Sequence, residues 1–470
     1  MRPLLRPGLL AAVLALAGCA APSPDGYRGE IAALTAGKTA GVAAALPAPD
    51  ADTGPLVAEL LAQPLDAGAA VRIALLNNPG LRASFATLAI SDAERVRAGR
   101  APNPHFALGR FAEGDRLEIE RVLSFNVLGL LTLPWRAEWQ GRQTELAKLQ
   151  AAQDVVRLAA ETRKAWIRAV AAQQSAGYLR DVRDAAETGA ELARRMARVG
   201  NWSRLQQARE QAFLADATAQ LARAEQARVA ARERLTRLLG LWGTQAQYAL
   251  PERLPDLPAA VVEPTEVEAQ ALRQRLDVKS AVDESRYVAQ SLGYVRATGV
   301  INALDLSYTR NTTFDNARGD KEAKRGWEVE LPLPLFDWGQ AGNARAQGLY
   351  LQSVARVQAV AVQARSEARE AYLGWRTAYD LARHYRDEIV PLRRFINDEM
   401  VLRYNGMLAS VWALLADTRQ NVLAVNSALE AQRDFWLADT DLQTTLSGTS
   451  PGALPALASS AAAGGEPQGH

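Results

Sequence analysis

The chain has 470 residues, a formal net charge of +2 and 48% hydrophobic residues. This is ample length for a buried core, and the near-neutral balance shows no bias toward nucleic acid. Three His, four Met and one Cys leave no obvious metal cluster. No internal run of about 20 apolar residues predicts a transmembrane helix, so entry into a bilayer would have to be as β-strands.

In chain order, Arg2 and Arg6 precede an apolar run from Leu9 to Ala17. The run is too short to span a bilayer as a helix, and residues 1–18 read as a signal peptide. Leu16-Ala17-Gly18-Cys19 closes it and resembles a bacterial lipobox. That resemblance implies cleavage before Cys19 and lipid attachment there. Cys19 is the sole cysteine, which excludes an intrachain disulfide. Residues 19–65 form the expected N-terminal tether. Its first part, 20–54, is rich in Ala, Pro and Gly and is expected to be extended.

A first structural repeat is predicted over residues 66–262. A helical stretch leads to strands at about 105–111 and 116–125, separated by the short loop Ala112–Asp115. A long helical hairpin follows over 134–240. Leu146, Leu149, Val156, Ala160 and Arg163 recur at helical spacing. Pro134 suits a first helical turn. Gly200-Asn201 ends the first arm, and Ser203 with Gln206 predicts a capping box for the second.

A second repeat is predicted over 263–448. Thr265 with Glu268 suggests a capping box for its opening helix. Strands are expected at about 303–309 and 326–333, joined by a polar loop from Arg310 to Arg325. A second long hairpin spans 338–447, with a kink expected at Pro391 and a turn at Asn405-Gly406. Aligned without gaps, Glu118-Ile119-Glu120 meets Glu328-Val329-Glu330 and Gly129 meets Gly339. Residues 449–470 have a disordered composition.

Alternation along the strands sets Leu117 and Ile119 opposite Glu118 and Glu120. Leu306 and Tyr308 oppose Asp305, and Trp327, Val329, Leu331 and Leu333 oppose Glu328 and Glu330. Arg121 falls on the apolar side, at an interface or at a slip in register. A half-buried soluble sheet and a membrane barrel wall both fit this pattern. Four strands cannot close a barrel alone, so the membrane reading requires an oligomer. In "LPLPLFDWGQAG", Pro332 and Pro334 deny ladder donors and end the last strand. Asp337 is then expected to cap the next helix with Gln340 at N3, while Gly339 and Gly342 admit close approach of neighbouring chains.

These features together resemble the TolC-type outer-membrane efflux family. The resemblance rests on the lipobox, the duplicated helix–strand–strand–helix–helix plan, "NPGL", "PLPLFDWGQAGNARAQ" and the Gly-turn hairpins. It covers residues 55–448. It implies a mainly α chain with a membrane β-barrel, in which a homotrimer builds one twelve-stranded barrel continuing into a long α-helical barrel. It also implies a passive exit duct that is not an enzyme and needs no cofactor beyond the covalent lipid on Cys19. Implied partners are a periplasmic adaptor (membrane fusion) protein, an inner-membrane transporter of the resistance-nodulation-division type, and outer-membrane lipid. No nucleic acid is expected.

By the same resemblance, the periplasmic gate candidates are Arg403, Tyr404 and Asp417 in the second hairpin and Arg198 and Arg204 in the first. Glu118, Glu120, Asp305, Glu328 and Glu330 would face the barrel lumen and favour cations. There are departures. The first repeat has Val127-Leu128-Gly129 where the second has Asp337-Trp338-Gly339, and Asp417 stands one position later than the family's usual Asp. "APNPHFALG" is closer to members linked with metal-cation efflux than to general drug channels. Organic-compound efflux, type I protein secretion and a non-channel coiled-coil scaffold lipoprotein are the alternatives.

Overall fold

The structure is a computed structural model and describes residues 21–39, 41–44, 46–48, 51–298, 303–333, 336 and 338–452. The signal peptide, Cys19, Pro334, Asp337 and all but the start of the C-terminal tail lie outside the described residues.

The described elements run in this order. Helices α1 (Arg28–Thr35), α2 (Gly54–Leu61), α3 (Ala67–Asn77) and α4 (Pro79–Ala98) lead into strands β1 (His105–Glu113) and β2 (Arg116–Asn126). A short α5 (Val127–Leu131), then α6 (Leu133–Arg198) and α7 (Arg204–Leu239), follow within the stretch predicted as the first repeat. The second repeat has α8 (Val267–Gln274), α9 (Leu276–Thr298), β3 (Asp305–Asp315), β4 (Asp320–Glu330), α10 (Gln340–His384), α11 (Val390–Asn405) and α12 (Val411–Ser447). The N-terminal tether therefore holds two short helices and is not extended throughout.

The chain gathers into two compact units that cut across the repeats. Among the described residues, the sheet unit comprises those within 21–27, 84–151 and 278–360, and the helical unit those within 28–83, 152–277 and 361–452.

In the sheet unit the strands form one antiparallel sheet in the order β1-β2-β3-β4. The second strand pair is longer than its sequence predicts. Arg310 to Asp315 pairs with Asp320 to Arg325, where a polar loop was expected. Hydrophobic alternation fails there because both sides carry polar residues, yet the backbone ladder continues. The true turn is Asn316–Gly319, held by Asp315 accepting from the Ala317 and Arg318 N–H groups at 3.1 and 3.2 Å. The ladder also corrects the ungapped alignment. Glu118 shares its rung with Thr313 and Glu322, whereas Glu328 lies level with Ser124 and Ser307.

The helical unit is built from long, alanine-rich arms. Ala152, Ala159, Ala165, Ala169 and Ala176 of α6 are all buried, and small side chains there admit close helix approach. Val170, Leu235, Leu239, Ile73 and Leu65 form one core cluster, with the Trp166 indole donating to the Leu65 carbonyl at 2.6 Å. A second cluster gathers Trp375, Tyr379, Phe435 and Leu442.

Ends and caps follow local chemistry. Both bonds of the Ser203/Gln206 capping box are present. Gly240 ends α7 at φ +67, and a Cβ there would stand 2.7 Å from the Asn77 carbonyl oxygen. Conformation and space both demand glycine. The Thr265/Glu268 box does not form: α8 starts at Val267 behind Glu266 at φ +51, and Glu268 pairs with Arg369 at 3.0 Å. At Pro391 the expected irregularity is a π-helical turn, Tyr385–Ile389, just before the proline. Pro391 supplies no N–H for an i→i−4 bond, and widening the preceding turn relieves its ring.

A buried ion cluster fixes the start of α9. Arg275, only 1% exposed, donates to Asp277 at 2.6 Å and to Glu367 at 2.7 Å. Burial works against the charged guanidinium, but the bonds and charges of Asp277 and Glu367 outweigh it and raise its pKa.

Candidate functional site

Directly opposed residues of an antiparallel ladder share a face. Reading the registers across all four strands gives the sheet two chemically distinct sides. One side carries Glu113, Glu118, Glu120, Asp305, Asp315, Asp320, Glu322, Glu328 and Glu330, with Arg116 and Lys324 as its basic residues. The five acids singled out from the sequence all lie on this side. Asp305 is paired directly with Glu330 and with Asn126, and Glu328 with Ser307. Asn311 donates to Glu118 at 3.0 Å. Sequence reasoning missed Asp315, Asp320 and Glu322 because it placed them in a loop.

The other side carries Phe106, Leu108, Leu123, Phe125, Leu306, Tyr308, Trp327 and Val329. Leu123, Leu306 and Tyr308 are half-buried, while the others are exposed, Phe106 at 66% and Trp327 at 68%. Tyr308 and Trp327 share a rung, with ring centroids 4.9 Å apart. Arg121 lies on this side with the register unbroken, so no slip occurs there. The outer strands β1 and β4 each have a single ladder neighbour, which leaves two open edges.

At the strand-to-helix joint, Pro332 follows the last ladder pair, Asp305↔Glu330. Helix α10 begins at Gln340, which is therefore its first residue and not the N3 position expected from the sequence. Gly339 stands immediately before it at φ +82, a left-handed conformation that glycine meets without strain. In the first repeat Asn126 does the capping, its side chain accepting from the Gly129 N–H.

The hairpin ends lie in the helical unit. Trp202, in the turn between α6 and α7, stacks on Trp412, at the start of α12, with centroids 4.6 Å apart. Arg419 of α12 pairs with Glu210 of α7 at 2.6 Å and lies over the Phe213 ring. Glu210 is 1% exposed. No local signal marks these contacts, since each joins residues about two hundred positions apart. Among the gate candidates, Arg198 lies 3.9 Å from Glu191 on its own helix. One Asp417 carboxylate oxygen is buried without a hydrogen-bond partner. Arg403, Tyr404 and Arg204 are exposed, and their side chains have no ion-pair or hydrogen-bond partner among the described residues.

The segment after Cys19 is docked within the sheet unit. Asp92 of α4 accepts from the Ser23 N–H and the Tyr27 hydroxyl, both at 2.7 Å, and from Arg95 at 2.8 Å. Lys148 caps the Tyr27 ring at 3.9 Å. Burial favours the neutral Asp92 carboxyl, but the bonds from Ser23, Tyr27 and Arg95 outweigh it and hold its pKa below the usual 3.8.

Among the described residues no helix is long and apolar enough to cross a membrane, and no acid, His or Cys cluster could hold a metal ion. No protein-family model and no curated protein matches the sequence. Solved structures do match. The Campylobacter jejuni CmeC outer membrane channel aligns with TM-score 0.70 at 15% identity, over 82% of this chain and 87% of that one. A membrane protein from Pseudomonas aeruginosa aligns with TM-score 0.69 at 18% identity, over 81% and 93%. The Neisseria gonorrhoeae MtrE outer membrane channel, in its open state, aligns with TM-score 0.65 at 17% identity, over 81% and 89%. The chain has the fold of TolC-type outer-membrane channels.

Proposed function

We propose that this chain is one third of an outer-membrane exit duct in a tripartite efflux system. Three copies join β4 of one to β1 of the next and close twelve strands. The acidic side then lines a water-filled lumen, and the apolar side meets lipid. The observation that carries this reading is the sheet itself, with long strands, two open edges and opposite chemistry on its two sides. An open edge of this length is an aggregation hazard, and barrel closure removes it. A scaffold lipoprotein leaves both edges and the exposed aromatic side without partners.

In this reading the chain does no bond chemistry. Metal cations or small organic compounds arrive from a resistance-nodulation-division transporter through a periplasmic adaptor. Lipid on Cys19 anchors the N-terminus, and the docking of Ser23 and Tyr27 on Asp92 holds the tether close behind it. A type I secretion duct would share the same barrel. The excess of lumen carboxylates favours cations.

The periplasmic gate lies at the hairpin ends, with Arg403, Tyr404, Asp417, Arg198 and Arg204 as candidates. The Trp202–Trp412 stack and the Glu210–Arg419 pair support that position, because they tie the two hairpins together near their turns. Asp417→Ala combined with Tyr404→Ala raises closed-state conductance; no change removes both residues from the gate. The whole reading is tested by SDS-resistant trimer migration from outer-membrane fractions together with ion conductance. A monomer that conducts nothing sinks it.

A further inference from the structure

Arg121 has company on the apolar side. Its rung continues through Arg310 on β3 and Arg325 on β4, three guanidinium groups directly opposed across adjacent strands. Neighbouring strands stand about 4.8 Å apart. Like charges so placed repel unless an anion sits among them. Arg110 and Lys321 lie on the same side, one and two rungs nearer the hairpin turns. No carboxylate lies on this side of any strand. Arg121 has one side-chain contact, a long 3.4 Å bond to Thr312, and Arg310 and Arg325 have no ion-pair partner among the described residues.

The row has a definite level. The Phe106, Leu123, Tyr308, Trp327 rung lies one step toward the helices, and Phe125, Leu306 and Val329 one step further. The hairpin turns lie on the other side of the row. On this side every basic residue lies at the row or nearer the hairpin turns, where Arg110 and Lys321 are interleaved with Ile119, Leu117 and Phe314.

We propose that this arginine row binds phosphate headgroups of the lipid leaflet on the hairpin-turn side. The inference rests on the barrel reading above, in which the apolar side faces lipid. Arginine is the residue suited to this task, since its planar fork grips phosphate oxygens in pairs and keeps its charge at any physiological pH. A second copy joined edge to edge cannot supply the counter-charge, because it presents the same acid-free side. The anion must come from outside the protein, and at this level the surroundings are lipid headgroups. Repeated in three copies, the row forms a basic belt that fixes the depth of the barrel in the membrane.

The test uses the full-length lipid-anchored protein in phosphatidylcholine nanodiscs. These are doped with either a diphosphoryl glucosamine glycolipid or its dephosphorylated form, and native mass spectrometry counts the lipid retained. The wild type retains the phosphorylated form at least tenfold over the other. The variant Arg121→Gln/Arg310→Gln/Arg325→Gln falls to near parity and keeps wild-type conductance. Arg121→Lys/Arg310→Lys/Arg325→Lys is intermediate and serves as the charged variant if the Gln protein misfolds. A conducting wild-type trimer without the preference overturns the lipid site alone, as does a Gln variant that keeps the preference. A wild type that neither trimerises nor conducts overturns the barrel and this proposal with it.

Discussion

Phe435 in the helical unit is 1% exposed, whereas Trp327 on the sheet is 68% exposed. Both are large aromatic groups on regular, well-paired elements. The helical unit completes its own core, with Leu235, Leu239, Trp375 and Phe435 covered by neighbouring helices of the same chain. The sheet completes only its ladder. Its aromatic side is left for something outside the chain to cover. A chain alone can thus carry a finished helical core beside a sheet whose aromatic side is unfinished, and in the proposed barrel assembly in a membrane would finish it.

Substitutions in the two units should separate them. The largest effect is expected at the buried ion cluster. Arg275→Ala strands Asp277 and Glu367 and costs about 3–5 kcal/mol, read from the thermal unfolding transition in detergent. Phe435→Ala opens a cavity and costs about 3–5 kcal/mol in the same measurement. Trp327→Ala, at an exposed site where only the Tyr308 ring contact is lost, costs about 1 kcal/mol or less in detergent. It lowers the fraction of protein inserted as trimer. Equal losses at Phe435 and Trp327 would erase the distinction between the two units.

Much of this contrast is legible in the sequence. Helical spacing, Ser203 with Gln206, and the turns at Gly200 and Gly406 define the arms because these signals are local. Strand alternation separates Glu118 and Glu120 from Leu117 and Ile119 for the same reason. The outer half of the second hairpin is hidden because Arg310 to Arg325 carries polar residues on both sides. A ladder with mostly polar residues on both sides has no hydrophobic period to read. Glu210–Arg419 and Trp202–Trp412 are hidden because nothing local specifies which arms meet. The row of Arg121, Arg310 and Arg325 appears only once the register is known, since a one-residue slip would move each to the other side.

Smaller effects probe the hairpin ends and the tether. Arg419→Gln leaves Glu210 buried without its cation and raises closed-state conductance several-fold in planar bilayers. An unchanged closed state would confine that pair to packing. At Asp92 the sign follows from its lowered pKa. The ionised carboxylate supports docking fully above pH 3.8, and that support is lost as pH falls through the lower folded value. Hydrogen exchange over residues 21–27 accordingly stays slow down to pH 3.8 and rises below it. Asp92→Asn raises it already at neutral pH. Exchange that ignores both changes removes Asp92 as the docking point.

Whether the acidic side lines a conducting lumen is read from the reversal potential across a planar bilayer holding the purified trimer in a salt gradient. An acidic lumen gives measurable conductance with cation selectivity. Glu118→Gln/Glu120→Gln/Glu328→Gln/Glu330→Gln should weaken that selectivity while leaving the trimer intact. An inserted trimer that passes no current, or one that selects anions, would contradict an acidic lumen.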